Sequence, residues 1–195
     1  VTLATAATVA GPITVYGSNI AVNANLQSTA SGAAVLLSST GGISMAASKT
    51  ITTNGGAITL KASSGGASVA GRGIDLSGGG NALTSGGGNI TLGGGANGSQ
   101  GNGLYVSTNP SGGAPAIYLV SSTLSAGGGT INLYGNNTTT QDNGIYITGS
   151  TITTTGSGAI GVYGDAYGGA TGSTLGVYNG ITLSGNTSVS YTHLT

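Results

Sequence analysis

Chemistry needs side chains that can hold a proton, a metal or a nucleophile, and this chain of 195 residues offers very few. Lys49, Lys61, Arg72, Asp75, Asp142 and Asp165 are its charged residues; there is no Glu or Cys, and His193 is the single imidazole. Asp142 and Asp165 lie 23 positions apart. If that is one coil of a solenoid, the carboxylates could stack at the roughly 5 Å used by retaining glycosidases. Both also sit beside Asn or Gly, where a turn is the ordinary reason for an Asp. A polysaccharide-cleaving groove further needs several acids with a base in one place, and three scattered Asp do not build one. The expectation is therefore a non-enzyme, with no catalytic residue; a polysaccharide-acting β-helix enzyme is the alternative.

Two motifs point weakly toward ligands. Gly71-Arg72-Gly73-Ile74-Asp75 is part of a calcium-binding nonapeptide, but Ala70 stands where the first Gly belongs and Ser77 where an apolar residue belongs. Such sites are shared between successive coils, so one degenerate copy is inadequate. A corner with a local Arg72/Asp75 ion pair is expected instead. Gly156-Ser157-Gly158-Ala159-Ile160-Gly161 has dinucleotide-loop spacing, yet no helical pattern follows it. No metal and no cofactor are expected.

Tyrosine offers a different chemistry. Tyr105, Tyr118 and Tyr146 occupy the middle of apolar-x-apolar triplets, and Tyr134, Tyr163 and Tyr178 follow the second apolar residue. Strand alternation points all six away from a core, where rings can stack on sugars and hydroxyls can bond them. These six are the candidate ligand contacts, with a structural tyrosine ladder as the competing role. Thr50-Ile51-Thr52-Thr53, Thr138-Thr139-Thr140 and Thr151-Ile152-Thr153-Thr154-Thr155 resemble the flat threonine arrays of ice-binding solenoids, but T-x-T is not expected to recur coil after coil, and a stand-alone ice- or glycan-binding solenoid is a further alternative.

The elements that must carry these residues are short strands. Apolar-x-apolar triplets recur from Ile13-Thr14-Val15 through Ile43-Ser44-Met45, Ile58-Thr59-Leu60, Ile74-Asp75-Leu76, Ile90-Thr91-Leu92, Leu104-Tyr105-Val106, Ile117-Tyr118-Leu119, Ile131-Asn132-Leu133, Ile145-Tyr146-Ile147 and Ile160-Gly161-Val162 to Leu175-Gly176-Val177 and Ile181-Thr182-Leu183. Single anchors Ile51, Leu83, Leu124 and Ile152 fall between them. Three anchors at steps of 7 to 9 residues cover one coil of a three-sided solenoid. Gln100 to Val106 matches Gln141 to Ile147 at an offset of 41, close to two coils, while Tyr118, Leu124 and Tyr134 match Tyr146, Ile152 and Tyr163 at 28 to 29. The expected fold is all-β, a parallel β-helix of about 20–22 residues per coil, with offsets of 14 or 29 as competing periods. Residues 1–188 form one β-helix repeat segment.

Gly (41), Thr (29), Ser (24) and Asn (15) make up more than half of the chain and suit tight corners and outward ladders. Zero net charge removes the self-repulsion of a disordered tail, and three cations cannot form a nucleic-acid surface. Ala33 to Leu37 is the longest apolar run, far short of a membrane span.

The runs Gly56-Ala57-Ile58-Thr59-Leu60, Gly88-Asn89-Ile90-Thr91-Leu92 and Gly129-Thr130-Ile131-Asn132-Leu133, in Thr/Ser/Asn/Gly-rich spacers, resemble the passenger regions of filamentous-haemagglutinin-like two-partner-secretion exoproteins and, more loosely, autotransporter passengers. The resemblance implies a right-handed parallel β-helix in a Gram-negative exported protein, secreted or at the cell surface, with adhesion as a common role. Its partners would be a glycan or host-surface receptor and neighbouring coils of the same long chain. Val189-Ser190-Tyr191-Thr192-His193-Leu194 is what one frame of a transposon-end sequence used in DNA library preparation would encode. Residues 189–195 are accordingly expected to be a non-native tail, with the natural chain continuing past Ser188.

Overall fold

A computed structural model describes residues 1–65, 69–93, 106–108, 114–137, 143–166, 175–177, 182–184 and 186–191, with side chains described through 164 outside 106–108. The described residues form a parallel β-helix, all β, whose strands stack into three faces. Face 1 stacks Thr2–Leu3, Ile20–Val22, Ile43–Met45, Ile74–Leu76, Ile117–Val120, Ile145–Thr148 and Leu175–Val177. Face 2 stacks Ala7–Val9, Leu26–Ser31, Thr50–Asn54, Ala82–Thr84, Thr123–Ser125, Thr151–Thr153 and Thr182–Ser184. Face 3 stacks Ile13–Gly17, Val35–Ser39, Ile58–Lys61, Ile90–Gly93, Ile131–Asn137, Ala159–Ala166 and Asn186–Tyr191, with Val106–Thr108 as an eighth strand.

Burial explains why these residues form these strands. A three-residue strand with one apolar side cannot bury it alone, but successive coils about 4.8 Å apart bury each other's and satisfy the backbone bonds. Ile20, Ile43, Ile74, Ile117 and Ile145 make one inward column on face 1. The single anchors Ile51, Leu83, Leu124 and Ile152 all fall in one buried column on face 2, which Leu26 joins. Face 3 contributes Val35, Ile58, Ile90, Ile131 and Ile160, with Leu37, Leu60, Leu92, Leu133 and Val162 beside them.

The Gly-x-Ile runs acquire a steric reason. Gly56, Gly88, Gly129 and Gly158 stand at the corner from face 2 to face 3, each packed on the previous coil's backbone. A Cβ on Gly88 would fall on the Gly56 carbonyl, and one on Gly158 would lie 2.5 Å from the Gly129 carbonyl oxygen. The same corner is tied from inside by hydroxyls. Thr53 Oγ1 donates to the Gly56 carbonyl at 2.5 Å, Ser85 Oγ to that of Gly88, and Thr154 Oγ1 to that of Gly158 at 3.0 Å.

The coil length departs from the expected 20–22 residues. Along face 3 the register steps are 22 (Ile13 to Val35), 23 (Val35 to Ile58), 32 (Ile58 to Ile90), 41 (Ile90 to Ile131) and 29 (Ile131 to Ile160). The offsets of 41 and of 28 to 29 are therefore each a single coil. The variation has one location. Connections from face 1 to face 2 have two to five residues and those from face 2 to face 3 one to five, whereas those from face 3 back to face 1 have 2, 3, 12, 23, 7 and 8. The 23-residue connection, 94–116, includes Val106–Thr108, which pairs with Gly135 to Asn137 on face 3. Leu104-Tyr105-Val106 is thus no counterpart of the face 1 triplet at Ile145 despite the shared local sequence; residues 104 and 105 lie outside the described residues.

Asn186–Tyr191 pairs with Ala159 to Gly164 without interruption at 188, and His193 lies outside the described residues. Among the described residues no helix is long and apolar enough to cross a membrane.

Candidate functional site

The outward residues of face 1 change character along the axis. Thr2, Ala21 and Ser44 are small, and the same register position is then taken by Asp75, Tyr118 and Tyr146. Beside this column runs the corner that absorbs the insertions. The 12-residue connection 62–73 brings Arg72 back over the sheet, with Gly71 at φ 90°, a left-handed conformation that disfavours side chains.

Arg72 organises the cluster. Its Nη1 donates to Asp75 Oδ2 at 2.9 Å and to Ser77 Oγ at 2.9 Å, and its guanidinium carbon lies 4.0 Å from the Tyr118 ring centroid. Asp75 Oδ1 also accepts the Ser77 amide hydrogen at 2.9 Å, which fixes the carboxylate. Tyr118 meets Tyr146 edge to face, centroids 4.8 Å apart at 72°. The expected Arg72/Asp75 ion pair is present, and the two side chains keep 38% and 25% of their surface exposed. In that setting the pair itself contributes less than about 1 kcal/mol; its larger effect is to hold a guanidinium over an aromatic ring. An open groove of about 480 Å³ runs from the cluster along the small-residue part of the column, lined by Asn19, Ala21, Gly42, Ser44, Arg72 and Asp75 among others. Donor and acceptor thus line a trough, a combination suited to hydroxyl-rich ligands, and the tyrosine pair adjoins it through Arg72 without lining it.

The second pair, Tyr134 and Tyr163, stands on face 3 in adjacent coils. The rings are stacked, centroids 4.8 Å apart at 7°. Tyr163 lies back over Gly161, where an added Cβ would come within 2.6 Å of its ring. Tyr134 points outward, as alternation requires, but retains only 9% of its surface, so this pair is a packed ladder step. Burial, and secondarily the neighbouring Tyr163, push the Tyr134 hydroxyl above its usual pKa.

Of the candidate tyrosines, Tyr118 and Tyr146 form a half-buried edge-to-face pair on face 1, and on face 3 a buried Tyr134 stacks on a half-buried Tyr163. Tyr105 and Tyr178 lie outside the described residues. Sequence reading paired Arg72 with Asp75 but did not join them to Tyr118, because the 43-residue step from Asp75 to Tyr118 has no counterpart in the apolar pattern. Asp142 lies outside the described residues, and the coil neighbour of Asp165 is Asn136. The Gly156 to Gly161 run leads into the strand Ala159–Ala166, so there is no helix N-terminus at that loop to hold a phosphate. Among the described residues no three His, Cys, Asp or Glu side chains gather as a metal site would require. No family model, curated protein or solved structure matches this chain.

Proposed function

We propose that the chain is a stretch of rigid shaft in a large exported bacterial surface protein of the filamentous-haemagglutinin type, secreted or held at the cell surface, and that it touches a glycan or host-surface receptor through face 1. The observation that carries this reading is the separation of constant and variable parts. Core triplets keep their register through every coil while insertions enter at one corner, the one that borders Arg72, Asp75, Tyr118 and Tyr146. A scaffold that holds its core fixed and varies loops along one edge is organised for presenting contacts. Length comes from stacking, and the near absence of charge avoids like-charge columns between coils. In the groove, sugar hydroxyls would bond Asp75 and Arg72 while a sugar face packs on the exposed part of the tyrosine pair.

Changing Tyr118 and Tyr146 together to Ser, with the β-sheet circular dichroism retained, is expected to abolish retention on host-cell surfaces or on an array of immobilised glycans. Changing Tyr16, exposed on face 3, to Ser is the control and should leave retention intact. Unchanged binding by the Tyr118/Tyr146 variant contradicts the contact role.

A further inference from the structure

The structure aligns on face 2 what the linear sequence scatters. Thr50, Ala82, Thr123 and Thr151 are in register in one outward rank, and Thr52, Thr84, Ser125 and Thr153 in a second. The backbone register extends the ranks to Thr182 and Ser184. From Thr50 onward T-x-T therefore does recur from coil to coil, with one Ala and two Ser substituted and Gln27 ending the second rank in the coil before, and it is hidden in the sequence because the steps between copies are 32, 41, 28 and 31 residues.

The hydroxyls supply an independent observation. Thr53, Ser85, Ser122, Ser150 and Thr154, at the corners, all donate to backbone carbonyls. In contrast, the seven hydroxyls of Thr50, Thr52, Thr84, Thr123, Ser125, Thr151 and Thr153 make no bond among the described residues. The described strands of face 2 carry no charged residue, so no ionic hydration shell interrupts the ranks. The other faces lack this regularity: face 1 turns to Asp75 and tyrosine, and face 3 mixes Thr59 and Thr91 with Leu36, Lys61 and Tyr134.

We infer that face 2 is a binding surface for crystalline water, the face of an ice crystal. Ranks repeat about 4.8 Å along the axis and about 6.6 Å across it, set by strand spacing and the two-residue rise. Threonine is stiff at χ1, so methyl and hydroxyl are held at fixed points of that lattice. A periodic ligand can engage every point at once, whereas liquid water gains nothing from the order. Each contact is weak, and the whole array binds because its members are tethered together. The inference is independent of receptor contact on face 1.

The test grows a single ice crystal in a dilute solution of the full chain and measures the chain's concentration in the ice relative to the liquid. Wild type is expected to be enriched in the ice, whereas Thr123→Tyr, in mid-array, is rejected from it. Thr91→Tyr, outward on face 3, is expected to match wild type, and Thr151→Lys is the second face 2 variant should Thr123→Tyr fail to keep its circular dichroism. Rejection of wild type from ice overturns the inference. So does equal loss in the face 3 variant, or adsorption to crystalline cellulose without adsorption to ice.

Discussion

The Tyr134 hydroxyl shows how one residue reports the packing around it. Its pKa is raised above the usual value near 10 by burial first and by Tyr163 second. A group whose folded pKa exceeds its unfolded one contributes stability that is complete below the unfolded value and is lost as pH rises through the folded one. The protein is therefore expected to lose stability above about pH 10, with part of that slope carried by Tyr134. Denaturant midpoints from pH 9 to 12 should fall less steeply for Tyr134→Phe, which keeps the ring stack and removes the proton; identical slopes would contradict the buried placement. The outward direction of Tyr134 is legible in the sequence, because strand alternation fixes it. Its coverage is not, because what lies over an outward ring depends on tertiary contacts that no local pattern encodes.

Corner glycines carry the corresponding argument for the elements. Gly88 and Gly128 are both corner glycines between face 2 and face 3, yet a Cβ on Gly88 would meet the Gly56 carbonyl, and one on Gly128 would meet nothing within 4 Å. Gly88→Ala is expected to cost about 1–3 kcal/mol, the range for forcing atoms into packed structure. Gly128→Ala should stay within about 0.5 kcal/mol of wild type. Equal midpoints in urea melts would contradict the stacked corner. Strand identity is readable ahead of the structure: Ile58-Thr59-Leu60 and Ile90-Thr91-Leu92 are strands, and Ile51, Leu83, Leu124 and Ile152 share a face. The connection lengths are a different matter. A 12-residue or 23-residue excursion at one corner leaves the core pattern on either side unchanged, so the apolar period averages over it and returns a coil that is too short and too regular. The same averaging conceals the ranks on face 2 and the approach of Arg72 to Tyr118.

At the scale of the molecule, the solenoid assigns different tasks to its sides. The interior is a continuous stack of Ile, Leu and Val, one corner admits insertions, face 1 carries the cluster of Arg72, Asp75, Tyr118 and Tyr146, and face 2 repeats hydroxyls in register. All of this depends on coils of unequal length stacked in register, and that is the claim to test most directly. The chain has no cysteine, so a pair introduced by mutation reports alone. Thr91 and Asn132 are register partners 41 residues apart, both outward on face 3; at the strand spacing of about 4.8 Å their Cα atoms are within reach of a disulfide. Thr91→Cys combined with Asn132→Cys is expected to close quantitatively to an intramolecular disulfide under mild oxidation, read by mass spectrometry of the digested chain. Asn132→Cys with Thr153→Cys, the pair that a uniform 21-residue coil would bring together, should remain reduced, because Thr153 stands on face 2. Closure of the second pair and not the first would contradict the account.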